Sequence, residues 1–509
     1  MPELQVETNR LLRGFSANLL FKLLGFVAAF FFQIYYARVL GAKNLGDLGI
    51  AVSVITFGIL LCNFGMDTAL TRFAPTYRSS SCFDVKLMEF FGFTLRIALL
   101  FSALACAGIF FLRHRLSEWI SPSSDISLYL TLLCPLLLLT AAGMQVGGAL
   151  RASERFVEYS FNNDFLPLFS LGFFFLIIHL LLGLDVMAYI LAYTIGGMLS
   201  LGLGISWLQR GPITPLLFGK WHLKPEERKH LISFGVKTLV YSLLVTSMTQ
   251  TARILLGVFG RNSEAGIIVV VETLSIVLIS LQASIVTVFM PQISRLYGEG
   301  KKNILFLLYK RLSRWSLITC LPYAVVFVLN AKEVVSLYGS QFSSGQSALV
   351  VLIAAQFIVV MLGLNGSLLY MTGYENVVVL SEGICLGSAV TLGVHLVPRY
   401  GAYGAAMATG FSLVLTHVIR LATVVWIFKA TQFSLQSLRT LAAGGFLFLL
   451  VWFGKGYINL GSAPINLLVK VALAYAAFSL LVLSIDRREE DMEVLVAAKG
   501  WLQSHLLSR

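Results

Sequence analysis

Polar and ionisable side chains recur at helical spacing inside four long apolar segments of this sequence. Within each segment they fall three or four residues apart, so they would share one face of a helix. An ionisable residue at membrane depth is costly unless it faces protein or water, and such residues mark transport pathways and binding sites. The candidate cavity residues on or beside these faces are Lys22, Gln33, Arg38, Asn63, Asp67, Lys237, Arg253, Glu272 and Gln282.

Each candidate also has a structural interpretation. Polar side chains can bond to their own helix or hold neighbouring helices together, and Lys or Arg near a helix end can extend to the headgroups. Lys22, Arg38 and Arg253 are open to that second interpretation. Glu272 lies deeper in its segment, and a carboxylate cannot reach as far as a lysine. We therefore expect Glu272 either to pair with a cation such as Lys22 or to be protonatable.

The segments that position these residues are transmembrane helices. Hydrophobic residues make up 57% of the 509 residues and charged residues only 12%, whereas a soluble domain carries about 25% charged residues. Apolar runs of about 18–25 residues, each long enough to cross a bilayer, recur along the chain. The sequence thus predicts an all-α polytopic membrane protein of about fourteen helices. Their approximate bounds are 16–40, 46–66, 87–112, 126–148, 161–183, 186–208, 231–257, 266–290, 315–332, 345–371, 376–397, 401–428, 437–454 and 465–485.

The formal net charge of +13 is explained by membrane topology rather than by nucleic-acid binding. An even number of helices places both termini on the same side of the membrane, and the segments on that side carry most of the Lys and Arg residues. By the positive-inside rule that side is the cytoplasm. We expect a multi-pass protein of the inner (plasma) membrane with basic cytoplasmic loops near 208–230 and 294–314, each open to forming an amphipathic interfacial helix.

Weak internal similarity at a near-constant offset predicts a duplication. The end of the first helix, 37–41, resembles the end of the seventh, 252–257, and 143–150 resembles 363–369. Because each half would contain six helices, the two repeats would be parallel, and duplicated bundles are a transporter architecture. The predicted organisation is a tail at 1–15, six-helix bundles at 16–215 and 228–430, an appended helix pair at 437–485, and a tail at 486–509.

Other kinds of chemistry find little support in the residues. The six cysteines form no CxxC or Cys/His cluster, so no metal site, cofactor or disulfide framework is predicted. A membrane-embedded glycan polymerase or ligase would need a sizeable outer loop carrying its reactive residues, and the predicted outer loops are short. We therefore expect a transporter rather than an enzyme. A membrane scaffold is the other alternative, but a scaffold would not require polar faces at equivalent positions of both halves.

Several stretches resemble the polysaccharide transporter family, the O-antigen flippase type of the multidrug/oligosaccharidyl-lipid/polysaccharide exporter superfamily. The resemblance lies in 12–78, with its Ala-Arg-Val-Leu-Gly at 37–41, in Phe289 to Tyr297, and in Val397 to Ala406. These motifs are helix-end and packing signals, so they are more specific for the superfamily than for a substrate. One departure is Ala252, where the family commonly has an acidic residue just before the arginine.

The resemblance implies two bundles that alternate access to a central cationic cavity. The implied cargo is a polyprenyl-phosphate- or -diphosphate-linked oligosaccharide moved from the inner to the outer leaflet, with Lys22 and Arg253 or Arg38 offsetting its negative charge. Whether a proton or a sodium ion is coupled is left open, and a monomer is expected. A lipid-linked peptidoglycan precursor flippase and a multidrug exporter of the same superfamily are the alternatives.

Overall fold

The computed structural model describes residues 2–77, 83–209, 223–454 and 463–485, and these ranges are helical without a β-strand. Short 3-10 segments lie at Ala74–Tyr77 and Ser340–Gly345, and a π-helical turn lies at Phe161–Phe165. The α-helices are α1 (Pro2–Asn63), α2 (Met66–Phe73), α3 (Phe83–Ile120), α4 (Ser127–Leu133), α5 (Pro135–Ala152), α6 (Phe156–Ser160), α7 (Leu166–Leu182), α8 (Val186–Gln209), α9 (Pro225–Val258), α10 (Asn262–Gly298), α11 (Lys302–Leu329), α12 (Ala331–Ser336), α13 (Gln346–Leu362), α14 (Asn365–Met371), α15 (Glu375–Phe428), α16 (Leu435–Gly454) and α17 (Ala463–Ile485).

The predicted polytopic helical fold is confirmed. In the described part of the chain, twelve helical stretches are long and apolar enough to cross a membrane. Two of them, α1 and α15, each join two predicted helices across a glycine, Gly41 (φ 72°) and Gly401 (φ 55°). A positive φ is favourable only for glycine, so each glycine separates two spans. Counting both sides of each break accounts for the fourteen helices that the sequence predicts.

Both breaks expose backbone N–H groups that other helices satisfy. The first N–H after Gly41, that of Ala42, donates to Oε1 of Gln341 at 3.0 Å. The first N–H after Gly401, that of Ala402, donates to the Glu264 carboxylate. Because the first turn of a helix has no intrahelical partners for its N–H groups, these side chains stabilise the start of each second span.

The helices extend further than the apolar runs. The predicted basic segment at 294–314, which was open to forming a helix, is largely helical: α10 continues to Gly298, and α11 begins at Lys302. Similarly, α3 has 38 residues, about 57 Å at 1.5 Å per residue, against a hydrocarbon core of about 30 Å. Hydropathy marks the part of a helix inside the bilayer, but backbone hydrogen bonding continues into polar sequence.

The described chain forms two compact units. The first comprises Met1–Val277, Tyr338–Leu352 and Val379–Thr416, and the second comprises Leu278–Leu337, Ile353–Val378 and His417–Arg509. Each has its own buried apolar cluster, centred on residues such as Leu70 and Leu150 in the first unit, and Leu305 and Leu368 in the second.

The predicted division into repeats stays a prediction. The boundary between 215 and 228 falls largely outside the described residues, as do residues 486–509. At the other end, α1 begins at Pro2, so the polar residues predicted as a tail continue the first helix.

The part of α1 after Gly41 packs against α10 with its backbone in close contact. A Cβ added to Gly46 would lie 1.8 Å from the carbonyl oxygen of Asn262, and one added to Gly266 would lie 1.9 Å from that of Ala42. Small residues spaced four apart allow membrane helices to approach this closely. The contact is reciprocal, since Ala42 and Gly46 meet Asn262 and Gly266, and it brings the second and eighth predicted helices side by side.

Candidate functional site

A buried ion pair joins α9 and α10 in the first unit. Nε and Nη2 of Arg253 lie 2.7 Å and 2.6 Å from the same oxygen, Oε2, of Glu272. The pair is mostly buried, but 18% of the arginine side chain and 17% of the glutamate side chain remain accessible to water. Part of each partner is therefore open to a small polar ligand.

Polar residues from both halves of α1 bond to residues that neighbour this pair on α9 and α10. Oε1 of Gln250, one turn before Arg253, accepts a hydrogen bond from the Ser53 hydroxyl at 2.7 Å and lies 3.5 Å from Nη1 of Arg253. Nε2 of Gln33 donates to the Thr273 hydroxyl at 3.1 Å, next to Glu272 on α10. Hydrogen bonds and an ion pair thus join the first predicted helix to the eighth, the second to the seventh, and the seventh to the eighth.

Three tyrosines lie within electrostatic range of Arg253. The charge of the guanidinium acts on the phenols of Tyr36, Tyr189 and Tyr193. The rings of Tyr36 and Tyr189 are 5.4 Å apart edge to face, and that of Tyr193 lies 6.3 Å from Tyr189. Within the described ranges none of the three hydroxyls has a hydrogen-bond partner or is fully buried. They are available to a polar ligand beside the arginine.

Asn63 and Asp67 belong to a second polar network in the same unit. Oδ1 of Asp67 accepts the Asn63 amide at 2.7 Å, and its Oδ2 accepts Nη2 of Arg151 at 2.9 Å. Nε2 of Gln145 in turn donates to Asn63 at 2.7 Å. The guanidinium of Arg151 also lies 4.9 Å from the ring centre of Tyr159. Asp67 follows a helix break at Gly65 (φ 67°) and so lies on α2 rather than at the end of α1.

The remaining candidates have other surroundings. Lys22 acts electrostatically on Asp164, so the cation paired with Glu272 is Arg253, not Lys22. Arg38 and Lys237 are exposed residues of the first unit. Gln282 is buried in the second unit, and its Nε2 has no hydrogen-bond partner among the described residues.

Four residues near the pair were not predicted from the sequence: Gln250, Thr273, Tyr189 and Tyr193. Gln250 and Thr273 each lie within one turn of a predicted site residue, so the helical spacing could have identified them. The two tyrosines lie four residues apart on α8, a helix whose apolar composition shows no polar stripe. Nothing in their local sequence distinguishes them from membrane-facing aromatic residues.

A separate buried polar cluster lies where α1, α10 and the loop before α4 meet. The Asp47 carboxylate accepts hydrogen bonds from the Asn262 amide and, at 2.8 Å, from the Ser124 hydroxyl. Asn262 also bonds the hydroxyls of Ser121 at 2.7 Å and Ser123 at 2.9 Å. Asp47 is only 3% exposed, so the cluster ties the ends of these elements together.

The same loop borders a polar pocket of about 300 Å³ lined by residues such as His114 and Glu118. Asp125 in this loop lies outside the membrane spans. Hydrogen bonds from the side chain and the backbone N–H of Ser127 hold the pKa of the Asp125 carboxyl below its ordinary value. The carboxylate thereby stabilises the start of α4 in its charged form. No group of His, Cys, Asp and Glu in the described ranges could hold a metal ion.

Comparison with solved structures gives the class of fold. At 14% sequence identity, a lipid II flippase MurJ in an inward closed conformation matches with a TM-score of 0.64, covering 92% of this chain and 98% of that chain. At 13% identity, an inward-facing multidrug resistance MATE family transporter of the MOP superfamily matches with a TM-score of 0.63, covering 80% and 97%. A MOP superfamily transporter from Pyrococcus furiosus matches at 13% identity with a TM-score of 0.59, covering 83% and 97%. The chain therefore has the fold that these transporters share.

The family follows from the sequence itself. Residues 11–297, more than half of the chain, match the model of the family described as polysaccharide biosynthesis protein. The chain belongs to this family, as its resemblance to polysaccharide transporters predicted. None of the curated proteins matches the chain in a sequence comparison.

Proposed function

We propose that this protein is a flippase for a polyprenyl-phosphate- or -diphosphate-linked oligosaccharide, which it moves from the inner to the outer leaflet of the inner membrane. The family membership and the transporter fold support the general class. The observation that carries the choice of cargo is the position of Arg253. Its side chain lies within a predicted membrane span and is mostly buried, yet it is partly accessible to water, and arginine binds phosphate through several strong hydrogen bonds.

The surroundings of Arg253 suit the sugar as well as the phosphate. Hydroxyls of Tyr36, Tyr189 and Tyr193 can exchange hydrogen bonds with sugar hydroxyls, and the aromatic rings supply a flat apolar surface. The nearby amide of Gln250 and hydroxyl of Thr273 add further polar groups to the site. In a multidrug exporter, an arginine at this position would repel a cationic cargo unless the negative charge of Glu272 outweighed the positive charge of the arginine.

The test is expression in a bacterium that lacks its own O-antigen flippase, with surface glycan measured on intact cells. We expect the wild-type chain to restore surface glycan and Arg253→Gln to lose most of it at equal membrane abundance. Arg228→Gln is the matched control, because Arg228 lies on the same helix, is exposed and is remote in sequence from the site. Equal glycan levels from Arg253→Gln and wild type would contradict the proposed cargo site.

A lipid-linked peptidoglycan precursor flippase is the second candidate, because the match to the lipid II flippase structure covers 92% of this chain. Both cargoes carry a prenyl-linked diphosphate, so Arg253 would serve either. Rescue of a strain depleted of its lipid II flippase, without restored surface glycan in the first assay, would favour this candidate.

A further inference from the structure

We propose that Glu272 is a built-in substitute for the cargo's phosphate: it occupies Arg253 in the unloaded protein, and the cargo displaces it on binding. This inference rests on the proposed function and adds a competitor within the binding site. Glu272 would then set the affinity for the cargo and its rate of release. The other roles open to a membrane carboxylate are to carry a proton or to stabilise the structure.

The geometry of the pair favours exchange. Arginine pairs most strongly when two of its parallel N–H groups meet two oxygens of one acid group. Here both N–H groups converge on Oε2 of Glu272. The second carboxylate oxygen has no described partner, and the far side of the guanidinium has only the 3.5 Å contact with Gln250. A phosphate group could therefore form a more complete set of hydrogen bonds with Arg253 than Glu272 does.

The charges at the site also favour exchange. An arginine enclosed by protein is destabilising without an anion beside it, so the empty site needs Glu272. When a phosphate arrives, the site would hold two anions for one guanidinium. The Glu272 side chain, which is partly accessible to water, then has to move away. The cargo phosphate and the Glu272 carboxylate thus compete for Arg253, and the free energy of cargo binding depends on the strength of the Arg253–Glu272 pair.

Such a competitor also promotes release. A phosphate bound to Arg253 without competition would be held tightly and would leave slowly, and a transporter must release its cargo. When the carboxylate returns to Arg253 it replaces the contacts that the departing phosphate breaks. Arg253 is therefore paired with an anion throughout cargo release.

The test uses the purified full-length chain in nanodiscs and farnesyl diphosphate as the probe, with farnesol as the phosphate-free comparison. We expect Glu272→Gln to bind farnesyl diphosphate about tenfold more tightly than wild type, a typical size for coupling between two ligands. Farnesol binding should stay unchanged. In the glycan assay, Glu272→Gln should lower surface glycan even though it binds the probe better, because release becomes slower.

Two further variants separate the possible failures. Arg253→Gln should weaken binding of the diphosphate; if it does not, both the proposed cargo site and this inference fall. If Arg253→Gln weakens binding but Glu272→Gln binds no better than wild type, only the competitor role is overturned. Glu333→Gln is the matched control, because Glu333 pairs with Lys470 in the second unit at 2.8 Å and should leave probe affinity unchanged.

If Glu272→Gln does not fold, Glu272→Asp provides the same test. Its carboxylate is shorter by one methylene and should compete less well for Arg253. We expect it to bind farnesyl diphosphate more tightly than wild type, though by less than tenfold, and unchanged or weaker binding would overturn the inference.

Discussion

Two arginine–carboxylate pairs of the first unit differ in how completely their carboxylates are bonded. Asp67 uses both oxygens, one for Asn63 and the other for Arg151. Glu272 uses one oxygen and leaves the other to the solvent-accessible space. A fully bonded carboxylate holds a structure in place, whereas a half-bonded one can exchange partners. We therefore propose that the Asp67 network is structural and that the Arg253–Glu272 pair binds cargo.

We expect Arg151→Met to destabilise the protein by about 2 kcal/mol, because a charged hydrogen bond of this kind contributes about 1.5–3 kcal/mol and Asp67 would lose it. Thermal unfolding of the purified protein in detergent measures the effect. Arg253→Met, measured in parallel, should change the unfolding temperature less and the glycan level more. Normal unfolding of Arg151→Met with complete loss of surface glycan would place Asp67 and Arg151 in the transport pathway instead.

The sequence predicted both residues of the Arg253–Glu272 pair as site residues, but it did not predict that they pair with each other. Helical spacing placed both Arg253 and Glu272 on polar faces of their helices. The sequence nevertheless favoured Lys22 as one partner for Glu272, because several cations of the polar faces were equivalent in one dimension. The two residues meet because α9 and α10 are consecutive helices whose polar faces turn toward each other.

At the scale of the elements, the packing of α1 against α10 depends on two glycines. Both Gly46 and Gly266 would place an added methyl group less than 2 Å from a backbone carbonyl oxygen of the other helix. A backbone atom in a packed helix cannot move aside as a side chain can. The close approach therefore requires glycine at both positions.

We expect Gly46→Ala to destabilise the protein by about 3 kcal/mol, the upper part of the range for overpacking, and to lower its yield as a monodisperse particle. Gly202→Ala is the control, since an added Cβ there meets nothing within 4 Å and alanine favours a helix over glycine. Size-exclusion profiles and unfolding temperatures compare the two. Wild-type stability of Gly46→Ala would show that the helices can separate without cost.

At the scale of the whole molecule, the proposed transport cycle requires the cluster around Asp47 to open. This cluster joins the second part of α1, the start of α10 and the loop 121–126 within the first unit. By the predicted topology these ends face the outside. Cargo that leaves toward the outer leaflet would have to pass them, so the hydrogen bonds among them must break once per cycle.

We expect a cross-link across this cluster to stop flipping. Ser123→Cys and Asn262→Cys suit this test because their side-chain oxygens are 2.9 Å apart, in a background whose six native cysteines are replaced by serine or alanine. A short, reducible bifunctional thiol reagent should abolish transport of a fluorescent lipid-linked glycan in vesicles, and reduction should restore it. Each single-cysteine protein treated alike should stay active. Undiminished transport by the cross-linked protein would rule out opening at this cluster.

The sequence by itself determined the membrane helices, the two breaks within α1 and α15, and the four polar faces. These features depend on hydrophobicity and on local periodicity, which are properties of neighbouring residues along the chain. Only the tertiary structure decided that Glu272 pairs with Arg253, that Asp47 bonds Asn262, and that two tyrosines of α8 lie within electrostatic range of the arginine. Those contacts depend on where helices cross, and crossings such as the one at Gly46 and Gly266 result from packing between residues far apart in the sequence.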